Sequence, residues 1–141
     1  MATAIWDSIQ DDLDEDGVTH VTEQYGDRLI EKELSGYIRP TIVHCKSPEN
    51  AIAQKEYMFP FASVVECPED KMLGTIGETL ICTGITNNES FRNQLIDCTE
   101  IDRLNLGPVP TTKLNWLQPH EGNIIDFLFR NRAIQLPEEL L

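Results

Sequence analysis

Basic residues are scarce in this chain. Eleven Lys and Arg stand against 24 Asp and Glu, a formal net charge of −13 over 141 residues. Such a surface repels phosphate backbones, which excludes nucleic acid as the expected partner. Anionic membrane surfaces are disfavoured for the same reason. Long apolar runs are also missing, and no stretch approaches the ~20 residues of a membrane span. The opening Met1-Ala2-Thr3-Ala4-Ile5-Trp6-Asp7 has neither the basic nor the apolar region of a secretory signal. The four cysteines, Cys45, Cys67, Cys82 and Cys98, form no Cys-x-x-Cys pair. They read as reduced thiols of a cytoplasmic protein, with no metal site among them. Neither Gly-x-Gly-x-x-Gly, nor Gly-x-x-x-x-Gly-Lys-Ser/Thr, nor Gly-x-Ser-x-Gly occurs. The usual phosphate-cradling loops and the hydrolase elbow are therefore not in the sequence.

What is present suits one domain. Apolar residues make up 40% of the chain and charged residues 25%, close to the globular average. The acid is concentrated at the start, where residues 1–35 hold ten Asp and Glu but two Lys and Arg. Within it, Asp11-Asp12-Leu13-Asp14-Glu15-Asp16-Gly17 reads as a solvated loop after a short helix. Counted from Asp11, Asp12, Asp14 or Asp16, the run is not expected to hold the spacing of a calcium loop, which requires a Glu at the twelfth position. No metal is assigned to the run.

Residues 28–33 and 37–45 read as strands, with Ser35-Gly36 turning between them and Pro40 marking an edge or a strand start. Ser47-Pro48 opens a short helix through Lys55. Phe61 to Cys67 reads as a buried strand. Pro68-Glu69-Asp70 starts a helix with an apolar face of Met72, Leu73 and Ile76, ended by Gly77. Thr79 to Ile85 is a strand. Asn87 or Asn88 caps a helix with the face Phe91, Leu95 and Ile96, and Ile101 to Leu106 is a strand. A last helix, apolar on almost all sides, runs from about Gly122 to Arg132. This alternation predicts an α/β fold, a mostly parallel sheet with flanking helices. Residues 1–27 form an acidic helix and loop, residues 28–134 the α/β part and residues 135–141 a tail.

Candidate chemistry is thin. His44 and Cys45 are neighbours on a strand and face opposite sides, so they make no nucleophile and base. His120 and Glu121 open the last helix, where adjacent side chains point apart, and a capping role suits them better. A small enzyme built on that pair is a distant alternative. His20 lies in a polar, acidic segment. No catalytic residue is assigned.

Four phrases carry more information together than alone. Arg39-Pro40-Thr41-Ile42-Val43 resembles the Pro-Thr-(Ile/Val)-(Ile/Val) strand of the aldehyde dehydrogenase superfamily. Glu56-Tyr57-Met58-Phe59-Pro60 and the strand after it resemble that family's Glu-x-Phe-Gly-Pro segment, with the aromatic offset by one and Phe59 where Gly is usual. Ile101 to Pro108 is similar to its Val-Asn-x-Asn strand and loop. Trp116 to Gly122 resembles the loop that closes the catalytic site. The resemblance spans about residues 28–132 and implies a partial aldehyde dehydrogenase-like catalytic domain.

The resemblance implies an oxidoreductase that converts an aldehyde to an acid with NAD or NADP as hydride acceptor. It also implies that the nucleophilic Cys, the general base and the dinucleotide domain lie upstream of the Pro-Thr strand. No Cys precedes Pro40 here. The chain alone is therefore expected to be inactive, with no cofactor bound by it alone. One position carries over: Glu56 matches the Glu whose carboxylate accepts both ribose hydroxyls of the cofactor. The partners implied are a complementing upstream polypeptide or further copies in a homo-oligomer. The alternative is a non-catalytic interaction module that binds a longer paralogue through the family's assembly surface. Phe59, Phe61, Phe127 and Phe129 are expected to be apolar surface left uncovered.

Overall fold

The computed structural model describes residues 1–33, 35–110, 112, 128, 135 and 137. The chain divides into two units, Met1–Thr75 and Ile76–Leu141. The last helix, the 116–122 loop, His120 and Glu121, and Phe127 and Phe129 lie outside the described residues.

The first unit opens with α1 (Ala2–Asp7) and α2 (Gln10–Leu13), followed by β1 (Val18–His20). Three residues of strand at 18–20 replace part of the loop expected there. Their pairing partners lie at 43–45, far along the chain, where local sequence gives no sign of them. β2 (Leu29–Lys32) and β3 (Ser35–Ile38) form an antiparallel hairpin in which Lys32 faces Ser35. The reversal therefore falls before Ser35, and Ser35-Gly36 belongs to the strand.

The expected 37–45 strand is two strands. Pro40 has no N–H for a ladder and splits the run into β3 and β4 (Thr41–Cys45). β4 is the middle of a three-stranded sheet, antiparallel to β1 and parallel to β5 (Phe61–Val65). The segment before β5 holds one 3-10 turn, Ala51–Gln54, in place of a longer helix. Alternation along β4 buries Thr41, Val43 and Cys45 and turns Ile42 and His44 outward. Val43, Cys45 and Ile52 are fully buried, with Leu13, Val18, Tyr57, Phe61 and Val65 packed around them. β5 is half-buried with an alternating pattern, a correction to the buried strand expected there. α3 (Glu69–Ile76) has no buried residue, and Ile76 on its expected apolar face is exposed. Gly77, at φ 60°, follows its end in the left-handed region that suits glycine.

The second unit contains a parallel βαβ motif, β6 (Thr79–Gly84), α4 (Glu89–Asp97) and β7 (Ile101–Leu106). Asn88 caps α4, its side chain accepting from the Ser90 and Phe91 N–H groups at 3.0 and 3.3 Å. Phe91 and Leu95 are buried, whereas Ile96 is exposed, so the helix's inward stripe is narrower than its sequence predicts. Leu95 sits against Gly84, where an added Cβ would lie 2.6 Å from Leu95 Cδ1.

Mixed α/β architecture is what the sequence predicts, but the sheets are only partly parallel. Of the four strand pairings among the described residues, β4–β5 and β6–β7 are parallel, and β1–β4 and β2–β3 antiparallel. No helix among the described residues is long and apolar enough to cross a membrane.

Candidate functional site

Glu56 lies on the extended segment between the Ala51–Gln54 turn and β5, and is exposed. No hydrogen bond or ion pair engages its carboxylate among the described residues. Its neighbours fix the segment on both sides. Lys55 Nζ pairs with the Asp12 carboxylate, and that hydrogen bond holds the ammonium above its ordinary pKa. Tyr57 packs edge-on against Phe61, ring centres 4.8 Å apart, and lies 5.4 Å from Phe59. Phe59 and Phe61 are each half-buried in this aromatic cluster rather than laid bare. The Tyr57 hydroxyl is buried with no partner among the described residues, and burial pushes its pKa up. Glu56 is thus an unengaged acceptor on an anchored stretch of backbone.

His44 and Cys45 separate as strand alternation requires. The Cys45 thiol is fully buried, and burial, with the Glu15 charge adding to it, raises its pKa. His44 Nε2 meets Glu66 Oε1 at 3.0 Å on the other face. All four cysteines are free, and Cys67, Cys82 and Cys98 are half-buried rather than enclosed.

The acidic run is only partly a solvated face. Asp12 holds Lys55, and Glu15 Oε2 accepts the Ala51 N–H at 2.8 Å. Asn50 Nδ2 donates to the Asp16 carbonyl at 3.0 Å. These contacts pin the Ala51–Gln54 turn to the loop after α2. The expectation that no calcium-loop spacing exists there also needs correcting. Counted from Asp12, acids fall at Asp14, Asp16 and Glu23, with Gly17 at the sixth position. Spacing is not convergence, however. Asp12 is committed to Lys55, and no group of three or more His, Cys, Asp or Glu converges to hold a metal among the described residues.

A second feature lies beside β1. A cavity of about 620 Å³ opens between the N-terminal helices and residues 18–29. Trp6, Leu13, Val18 and Leu29 supply apolar wall, and Asp14, Glu23 and Asp27 supply exposed carboxylates. His20 and Arg28 complete it. His20 Nε2 lies 3.1 Å from Thr22 Oγ1, which also accepts the Ile42 N–H at 3.1 Å. The imidazole ring sits 6.1 Å from the Trp6 ring. Its pKa is held below the ordinary value, first by burial, with Arg28 adding to the effect and Glu23 opposing it. Arg28 is 6% exposed. Its Nε donates to the Gly26 carbonyl at 2.8 Å and its Nη1 to the Pro40 carbonyl at 3.3 Å.

Glu56 and this cavity are two places among the described residues where polar groups stand available to a ligand. Sequence reading reaches the first through resemblance. It misses the second because Trp6 in α1, His20 in β1 and Arg28 before β2 line one cavity only in the folded chain. The chain matches no protein-family model, and no curated protein matches it.

Proposed function

We propose that the chain is part of an aldehyde dehydrogenase-like oxidoreductase and does not complete that reaction alone. The observation that supports this reading is the order of elements against the first three phrases, the fourth lying outside the described residues. A strand covers the Thr-Ile-Val of the first phrase. The Glu56 segment runs directly into a second strand, parallel to the first. After a helix, a strand and a second helix, a further strand covers the third phrase. Glu56, exposed and unengaged, suits an acceptor of two ribose hydroxyls of NAD or NADP. When bound, the nicotinamide would supply the hydride acceptor. The role this reading gives to this chain's own residues is positioning, through the Glu56 carboxylate. The four unpaired thiols suit the cytoplasm.

The gene's upstream coding sequence tests this reading. A Gly-Gln-x-Cys segment upstream, in the same frame or an adjacent one, is the expected result. Aldehyde oxidation by the purified 141-residue chain, with NAD and no added polypeptide, would overturn it.

A second reading, a non-catalytic interaction module, rests on the outer face of the first sheet. Parallel strands are normally covered on both faces. Here Ile42 and Val64 stand 39% and 55% exposed on adjoining strands. This reading predicts association with a longer paralogue or with further copies. Sedimentation velocity across a range of concentrations reads the self-association directly. A monomer throughout would leave only the longer paralogue as partner.

A further inference from the structure

We propose that the cavity beside β1 binds a small zwitterion of the α-amino-acid type, its carboxylate on Arg28 and its ammonium towards the exposed carboxylates that line the cavity, Asp14, Glu23 or Asp27. The argument begins with Arg28. A cation this deeply enclosed ordinarily has an anionic partner, because desolvating a charge is costly. Arg28 has two backbone carbonyls and no carboxylate ion pair among the described residues. Its Nη2 has no hydrogen-bond partner there and is not sealed from solvent, and the residue lines the cavity. A guanidinium edge with unused donors is shaped to receive a carboxylate.

The surroundings narrow the class of anion. Asp14, Glu23 and Asp27 also line the cavity and repel a multiply charged anion such as phosphate. They favour a ligand that carries a positive group of its own. An ammonium beside a carboxylate meets both demands. His20 offers a polar ring close to Trp6. Trp6, Leu13, Val18 and Leu29 leave apolar wall for an aliphatic side chain. The volume, about 620 Å³, falls within the ~300–1,000 Å³ usual for small-ligand sites.

Calorimetric titration of the full chain with L-leucine tests the proposal against two half-ligands. These are 4-methylpentanoate, which lacks the ammonium, and L-leucinamide, which lacks the carboxylate. The expected result is saturable binding of L-leucine, with each half-ligand weaker by about tenfold or more, the cost of one charge-assisted contact. Arg28→Gln should weaken L-leucine binding by a similar factor and leave leucinamide unchanged. Should that variant fail to fold, the exposed pair Glu23→Gln and Asp27→Asn gives an independent reading. It should weaken L-leucine and spare 4-methylpentanoate. No saturable binding of L-leucine overturns the proposal, as does equal binding of either half-ligand. Saturation by calcium chloride that excludes L-leucine would overturn it in favour of the Asp12-to-Glu23 spacing.

Discussion

His44 and Glu66 meet at 3.0 Å on the outer face of the β4–β5 pair, one residue along β4 from the fully enclosed Cys45 thiol. β4 thus carries, on opposite faces, a histidine in contact with a carboxylate and a core thiol. The pair's side chains are 33% and 65% exposed, so water and salt screen it. Exposed ion pairs contribute about 0–1 kcal/mol. Glu66→Gln should therefore lower stability by less than about 1 kcal/mol, and the difference should shrink further at high salt. Urea unfolding of both proteins at low and high sodium chloride reads this. A larger loss would mean that Glu66 holds β5 in place by more than its contact with His44.

The cysteines should react in an order set by enclosure. Thiolate is the reactive form, so burial slows alkylation by restricting access and by raising the pKa. Cys45 is 0% exposed and its pKa is raised, first by burial. Cys82 is half-buried, and burial, then the neighbouring Cys98, raises its pKa as well. Iodoacetamide should modify Cys67 and Cys98 first, Cys82 later and Cys45 only after unfolding. Mass spectrometry of timed digests gives the order. Modification of Cys45 at the rate of Cys67 would contradict its place in the core.

The second unit's packing rests on Gly84. A methyl group there would lie 2.6 Å from Leu95 Cδ1, and Leu95 is itself 2% exposed. The Leu95 side chain has little room to turn aside. Gly84→Ala should cost about 1–3 kcal/mol, the range for overpacking a core. Leu95→Val, by removing the crowding atoms, should recover part of that loss in the double variant although it is destabilising alone. A double-mutant cycle by urea unfolding measures the coupling. Additive losses would show that α4 does not pack on β6 through these two residues.

The parts of the fold legible in the sequence are those with local causes. Gly77 ends α3 through its positive φ, and Asn88 caps α4 through its side-chain oxygen. β7 occupies the expected residues 101–106, bounded by the turn at Gly107. The parts that escaped depend on distant partners. β1 exists because residues 43–45 pair with it, and α3 buries none of the face its periodicity suggests. The same division runs through the candidate sites. Glu56 stands in a phrase that can be read along the chain. His20 ends β1 and Arg28 lies in the bend before β2, and the folded chain gives them one cavity.

His20 makes stability depend on pH in a direction the geometry fixes. Its folded pKa lies below the ordinary 6.5, chiefly because burial disfavours the imidazolium. The unfolded chain therefore binds the proton more readily. His20's contribution is fully present above about pH 6.5 and is lost as pH falls towards the folded value, below which the loss levels off. Urea midpoints should drop across that window in the natural chain. His20→Gln keeps a polar side chain beside Thr22 but cannot titrate, so its midpoints should fall less steeply over the same range. The ring's own titration, followed by NMR, should give an inflection below 6.5. An inflection above that value would mean that Glu23, not burial, governs the site, and the slope attributed to His20 would then reverse sign.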